Sequence, residues 1–102
     1  MISIETVSDS KKTLKAIATV LLNKKLTACT HIAKIPYSTY IWEGEIVTKK
    51  EYKLKVKTIE KHKKSILSII KENHNYEIFE LSTHDISNLD KNYKQWFKGE
   101  IK

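Results

Sequence analysis

The side chains of this 102-residue chain best suited to chemistry fall into a few groups. The densest is His74-Asn75-Tyr76-Glu77-Ile78-Phe79-Glu80. A neutral imidazole such as His74 binds borderline metals, Cu(II) and Zn(II) among them. Glu77 and Glu80 could add oxygen ligands, but residues three apart on a regular strand point to opposite faces. They can share a site only through a bulge or across two subunits. The plainer roles are a helix cap or loop packing for His74, and ion pairing of the two carboxylates with Lys57 or another lysine.

Cys29 and His31 form a second group. At i and i+2 of a strand they share a face, where thiolate and imidazole could clip Cu(I) or Zn(II). The ordinary fate of such a cysteine is burial as a small apolar group. As a nucleophile, Cys29 lacks an orienting Asn or Asp and any sign of an oxyanion hole.

A third group combines Lys57 with Tyr40, Trp42, Tyr76 and Trp96, aromatic residues that could line a ligand cleft and that more commonly form interface core. Lys53, Lys55 and Lys57 make a cationic stripe able to cradle an anion. No glycine-rich phosphate loop, HExxH or CxxC is present, and no acid–base or nucleophile pair suggests an enzyme.

Regular elements must position these groups. Ile2 to Val7 alternates as a short strand, and Ser8-Asp9-Ser10 supplies cap chemistry for a helix whose apolar stripe is Leu14, Ile17, Ala18, Leu21 and Leu22. Thr27 to Trp42 reads as a long strand, with Pro36 marking an edge position or a bulge. Glu43-Gly44-Glu45 turns the chain back into a strand ending at Thr58. There Tyr52, Leu54 and Val56 alternate with the three lysines. Ile59, His62, Ile66, Ile69 and Ile70 predict a second helix ending near Asn73. Tyr76 to Ser82 is expected as a fourth strand. Ser87 to Asp90 caps a terminal helix carrying Leu89, Tyr93, Trp96 and Phe97. The order β-α-β-β-α-β plus a final helix predicts an α+β, ferredoxin-like antiparallel sheet in one domain, residues 1–102, with helices on one face. An uncovered second face bearing Tyr40, Trp42 and Tyr52 calls for self-association.

Composition narrows the classes. The net charge of +7 comes entirely from lysine, since the chain has no arginine. Sequence-specific nucleic-acid readers lean on arginine for bidentate contacts, so no specific nucleic-acid partner is expected. One cysteine excludes an internal disulfide and fits a reducing cytosol. The first residues lack a basic-then-apolar leader, and no apolar run reaches membrane-spanning length. A cytoplasmic protein without membrane partners is the expectation.

Leu26-Thr27-Ala28-Cys29, Ser38-Thr39-Tyr40-Ile41-Trp42-Glu43-Gly44, Glu51, Lys57-Thr58, His74 to Glu80, and Tyr93-Lys94-Gln95-Trp96 follow one another in order. From Glu5 to Trp96 this series resembles the CutA family of divalent-cation tolerance proteins. The resemblance implies homotrimers of ferredoxin-like subunits whose long hairpins extend the sheets across subunit boundaries. It also implies a role in tolerance of copper and other divalent metals, with a divalent ion (Cu or Zn) as ligand, no obligatory cofactor and no established catalysis. Metal-dependent interaction with an unidentified protein partner is a further route to that role. The likeness of such trimers to PII signalling proteins offers an alternative, a sensor of a small anion in intersubunit clefts through Lys57, His74 and Glu80. Against the family pattern His-Pro-Tyr-Glu-x-Pro-Glu, both prolines are absent here, so a less rigid loop is expected. Two proposed copper ligands of relatives, a first-strand cysteine and a second histidine, align with Glu5 and Asn73, leaving His74.

Overall fold

A computed structural model describes residues 1–102. Its elements are β1 (Ile2–Ser8), α1 (Lys11–Asn23), β2 (Thr30–Trp42), β3 (Glu45–Thr58), a 3-10 turn at Glu60–His62, α2 (Lys63–Asn73), β4 (Leu81–Asp85) and α3 (Lys91–Glu100). The strands form one sheet in the order β2-β3-β1-β4, with every neighbouring pair antiparallel. This is the predicted ferredoxin-like arrangement. No helix is long and apolar enough to cross a membrane.

The core follows the sequence periodicity. Leu14, Ile17, Ala18 and Leu21 of α1 and Ile66 and Ile70 of α2 pack on Ile4, Leu54 and Val56. Each leucine, isoleucine or valine among them contributes roughly 1.5–3 kcal/mol of burial. Ser10 caps α1, its hydroxyl accepting from the Thr13 amide at 3.1 Å. Asp90 caps α3 by accepting from the Asn92 and Tyr93 amides.

Two expected strand boundaries need correction. The fourth strand is Leu81–Asp85, not Tyr76 to Ser82, and residues 76–80 are a loop. The apolar character of Tyr76, Ile78 and Phe79 imitates a strand, whereas the true strand, Leu81-Ser82-Thr83-His84-Asp85, is polar because it is an edge strand paired only with β1. The long strand begins at Thr30 rather than Thr27, because the Thr27 hydroxyl instead bonds the Lys57 and Cys29 carbonyls, at 2.6 and 3.1 Å.

The helices also do not keep wholly to one face. α1 and α2 cover the face of Leu54 and Val56, while α3 brings Tyr93 to Lys57, which projects from the opposite face; the ammonium lies 5.6 Å from the ring centre. Phe97 of α3 is completely buried.

Pro36 does mark a bulge. Ile35 pairs with Glu51, but the next pair in β2 is Ser38 with Lys49, so β2 holds one extra residue. Its parity therefore switches. Cys29, His31 and Ile35 share the open face below the bulge; Ser38, Tyr40 and Trp42 share it above. Beyond Tyr52, β3 leaves β1 behind, and Glu45–Glu51 pairs with β2 alone as a projecting two-stranded ribbon.

Candidate functional site

At the base of that ribbon a polar network ties the 74–80 loop to the sheet. The Tyr76 hydroxyl donates to Glu51 Oε2 at 2.7 Å and accepts from the Asp9 amide at 2.8 Å. Ser38 donates to the other Glu51 oxygen at 2.6 Å. Glu51 is buried, at 5% exposure, and both its oxygens are satisfied, as a buried carboxylate requires. Lys49 lies 4.8 Å from the centre of the Tyr76 ring and 5.9 Å from that of Tyr40, and its ammonium reaches Asp9 Oδ2 at 3.3 Å. Asn75 donates to Asp9 Oδ1 at 2.9 Å and accepts from the Ser8 hydroxyl.

The titration of these groups reflects that packing. Burial, then the hydrogen bond to Glu51, raises the Tyr76 phenol to about 12. The Tyr76 side chain, with Tyr40 and Asp9, holds the Lys49 ammonium above its ordinary range against the opposing effect of burial. Burial pushes the Asp9 carboxyl up, but bonds from Asn75 and Lys49 outweigh it and leave its pKa lowered.

His74 stands beside this network as the residue that ends α2, its amide bonding the Ile70 carbonyl at 2.9 Å. Its Nε2 bonds the Val7 carbonyl at 2.9 Å, and its Nδ1 accepts from the Tyr76 amide at 3.0 Å. Burial lowers its pKa, partly countered by the Val7 carbonyl. The ring is thus a neutral imidazole with both nitrogens engaged, and a cation here would have to displace one of these bonds. Phe79 stacks on it at 4.0 Å and 6° between ring planes. That stack, the Tyr76 bonds and the Thr6 hydroxyl on the Glu80 carbonyl at 2.7 Å tether the loop without the two prolines.

The remaining candidates go elsewhere. Glu77 and Glu80 have exposed side chains on the loop. Trp42 sits half-exposed at the hairpin end. Lys57 lies opposite Ser3 on β1, four residues from Val7, or about 13 Å along the strand. Within one chain Lys57, His74 and Glu80 therefore do not converge. Lys57 belongs to another cluster. Cys29 Sγ is 3.9 Å from His31 Nε2, the Lys57 amide bonds the Cys29 carbonyl at 3.3 Å, and Tyr93 neighbours Cys29. Burial, with the Cys29 thiol beside it, raises the Tyr93 phenol to about 12. Trp96 packs on Tyr93 at 5.6 Å between ring centres. No group of three or more His, Cys, Asp or Glu side chains gathers at metal-binding distance in the chain.

Asp9, Ser38, Lys49 and Tyr93 were not singled out as functional from the sequence. Asp9 reads as turn chemistry and Ser38 and Lys49 as ordinary strand residues. The convergence of Asp9, Ser38 and Lys49 depends on the bulge and the long-range loop contact, and Tyr93 reaches its own cluster through α3.

The fold and these contacts can be set beside known proteins. The family model for the CutA1 divalent ion tolerance protein matches residues 2–100. The chain belongs to the CutA family. A divalent-cation tolerance protein CutA from Yersinia pestis (strain Pestoides F) is 31% identical over 85 residues, which covers 83% of this chain and 71% of that one. CutA1 from Pyrococcus horikoshii superposes with a TM-score of 0.92 at 26% identity, covering 100% of this chain and 99% of its own. The CutA of Archaeoglobus fulgidus, described as a periplasmic divalent cation tolerance protein, gives 0.91 at 28% identity over 100% of both chains. Family membership places this CutA chain among divalent-cation tolerance proteins.

Proposed function

We propose that this chain serves divalent-cation tolerance by binding copper or zinc weakly and reversibly, as a homotrimer in a reducing compartment such as the cytoplasm. The observation that carries the metal reading is the Cys29–His31 pair. Its 3.9 Å separation suits two ligands of one ion: with zinc bonds of about 2.3 Å to sulfur and about 2.0 Å to nitrogen, the angle at the metal is about 130°. Small side-chain rotations close it further. Two ligands leave the remaining positions to water or to a partner molecule, which favours exchange over permanent retention. His31 is exposed and Cys29 half-buried, so ions reach the pair directly.

The trimer reading rests on the projecting ribbon. A two-stranded hairpin is marginal in water by itself, and this one shows Tyr37, Ile41 and Ile46 at 79%, 74% and 77% exposure. Its β2 strand is a free sheet edge, suited to accept strands of further copies.

Calorimetric titration with Zn(II), and with Cu(I) under reducing conditions, tests the metal reading. Binding is expected in the parent and lost in Cys29→Ser and in His31→Ala. Equal binding by parent and both variants would remove this pair from the function.

A further inference from the structure

The net charge of +7 is not spread over the molecule. Residues 11–25, which hold α1 and its end, carry five lysines and no acid. Residues 60–73, the 3-10 turn and α2, carry four lysines and two acids. The ten lysines elsewhere are matched by ten acids. The whole excess therefore lies on the two-helix layer that covers one face of the sheet. A lysine-rich composition alone would load both faces alike. Eight of the nine lysines on the layer are exposed, and only Lys63 is ion-paired, to Glu60 at 3.7 Å. Like charges gathered in this way repel one another, and an anion laid across them relieves that repulsion. Between the helices, Lys24 and Lys64 line an open groove of about 510 Å³ with Ser65 and Ser68. The groove's one acidic side chain, Glu72, accepts from the Ser68 hydroxyl at 3.2 Å.

We propose that the outer surface of α1 and α2 docks the phosphate backbone of double-stranded DNA, without regard to sequence. The residue types choose among polyanions. Arginine, which reads guanine by a bidentate pair, is absent from the chain, so only phosphates are addressed. Neither helix contains an aromatic residue, so no ring is offered for stacking on unpaired bases or for anchoring in a lipid interface. Interfaces with proteins draw on aromatic and arginine anchors and are depleted in lysine. What remains is point-charge attraction to a dense row of phosphates, and duplex DNA carries one charge per about 1.7 Å of axis. The 13 residues of α1 span about 20 Å, the length of roughly six base pairs. This role is additional to metal tolerance and uses neither Cys29 and His31 nor the ribbon.

The test is fluorescence anisotropy of the full chain with labelled DNA duplexes of about 30 base pairs. Binding on the order of micromolar or tighter is expected in about 50 mM KCl, equally for two unrelated sequences. It should weaken on the order of a hundredfold to a thousandfold in about 200 mM KCl, as four or five phosphate contacts are given up. The triple variant Lys12→Gln, Lys24→Gln and Lys64→Gln should bind at least about tenfold more weakly, its salt slope shallower by about one for each lysine that met a phosphate. Lys91→Gln, Lys94→Gln and Lys98→Gln on α3 together lower the net charge by the same amount and should bind as the parent does. All six lysines are exposed, so both variants should keep the parent's circular dichroism. Equal losses in the two variants would show attraction to net charge alone and overturn the proposal. So would a lack of binding in about 50 mM KCl, tighter binding of the unpaired strand, or binding to phosphatidylserine vesicles by a protein that leaves the duplex free.

Discussion

The Tyr76 hydroxyl and the Glu51 carboxylate, 2.7 Å apart, fasten the loop that follows α2 to the strand that carries the projecting ribbon. Twenty-five positions separate them in sequence, and the bond is the one side-chain hydrogen bond from the loop to the buried Glu51. Tyr76→Phe strips Glu51 Oε2 of its donor and the Asp9 amide of its acceptor. A buried charge losing a hydrogen bond costs roughly 1.5–3 kcal/mol. Urea unfolding should show a loss of that size. Glu51→Gln should lose less, because it removes the charge that makes the orphan expensive. A double-mutant cycle should return a coupling well above zero, and additive losses would show that the two side chains act independently.

His74 gives the stability a pH dependence of fixed sign. Burial lowers its folded-state pKa below the ordinary 6.5, so the unfolded chain takes up its proton first. Stability is full above about pH 6.5 and declines as the pH falls toward the lowered folded value. The neutral ring donates from Nε2 to the Val7 carbonyl and accepts at Nδ1 from the Tyr76 amide, and protonating Nδ1 loses the second of these bonds. Urea midpoints measured at about pH 7.5 and about pH 5 should differ more for the parent than for His74→Gln, which cannot titrate. Equal slopes in the two proteins would assign the acid sensitivity to other groups.

The body of the fold was legible because periodicity and packing agree. Leu54 and Val56, alternating with lysines, are fully buried, and Leu14, Ile17 and Leu21 line the facing helix. Pro36 announced the bulge because proline cannot serve a ladder. The loop at 76–80 was not legible, since its apolar residues serve contacts made by neighbours distant in sequence: Phe79 stacks on His74, and Tyr76 reaches Glu51 and Asp9. The site was half legible for the same reason. Cys29 and His31 needed only strand geometry, while Tyr93 entered through the path of α3, which no local pattern dictates.

Assembly is tested at the ribbon. Ile41 pairs with Ile46 and both stand exposed, while Tyr40 and Trp42 occupy the other face of the same strand. Apolar groups on both faces of a two-stranded ribbon need cover from elsewhere. Sedimentation of the parent at micromolar concentration should therefore report a trimer. Ile41→Asp combined with Ile46→Lys places an oppositely charged cross-strand pair there, which the hairpin tolerates and an apolar interface does not. The double variant should sediment as a smaller species with its secondary structure intact. A monomeric parent would end the trimer reading.

The hairpin turn separates conformational strain from crowding. Trp42 pairs with Glu45, leaving Glu43 and Gly44 as a two-residue loop, with φ of +50° and +81°. Positive φ at both positions is the type I′ turn, which favours Asn-Gly. Glu43 is strained there, since an ordinary side chain in this region costs roughly 1–2 kcal/mol and asparagine less. Glu43→Asn should slow amide exchange across the end of the ribbon. Gly44→Ala should accelerate it, although an added Cβ would meet nothing within 4 Å. Because space is free, any loss in Gly44→Ala belongs to the backbone. An unchanged exchange rate in that variant would mean that the turn relaxes to another type at no cost.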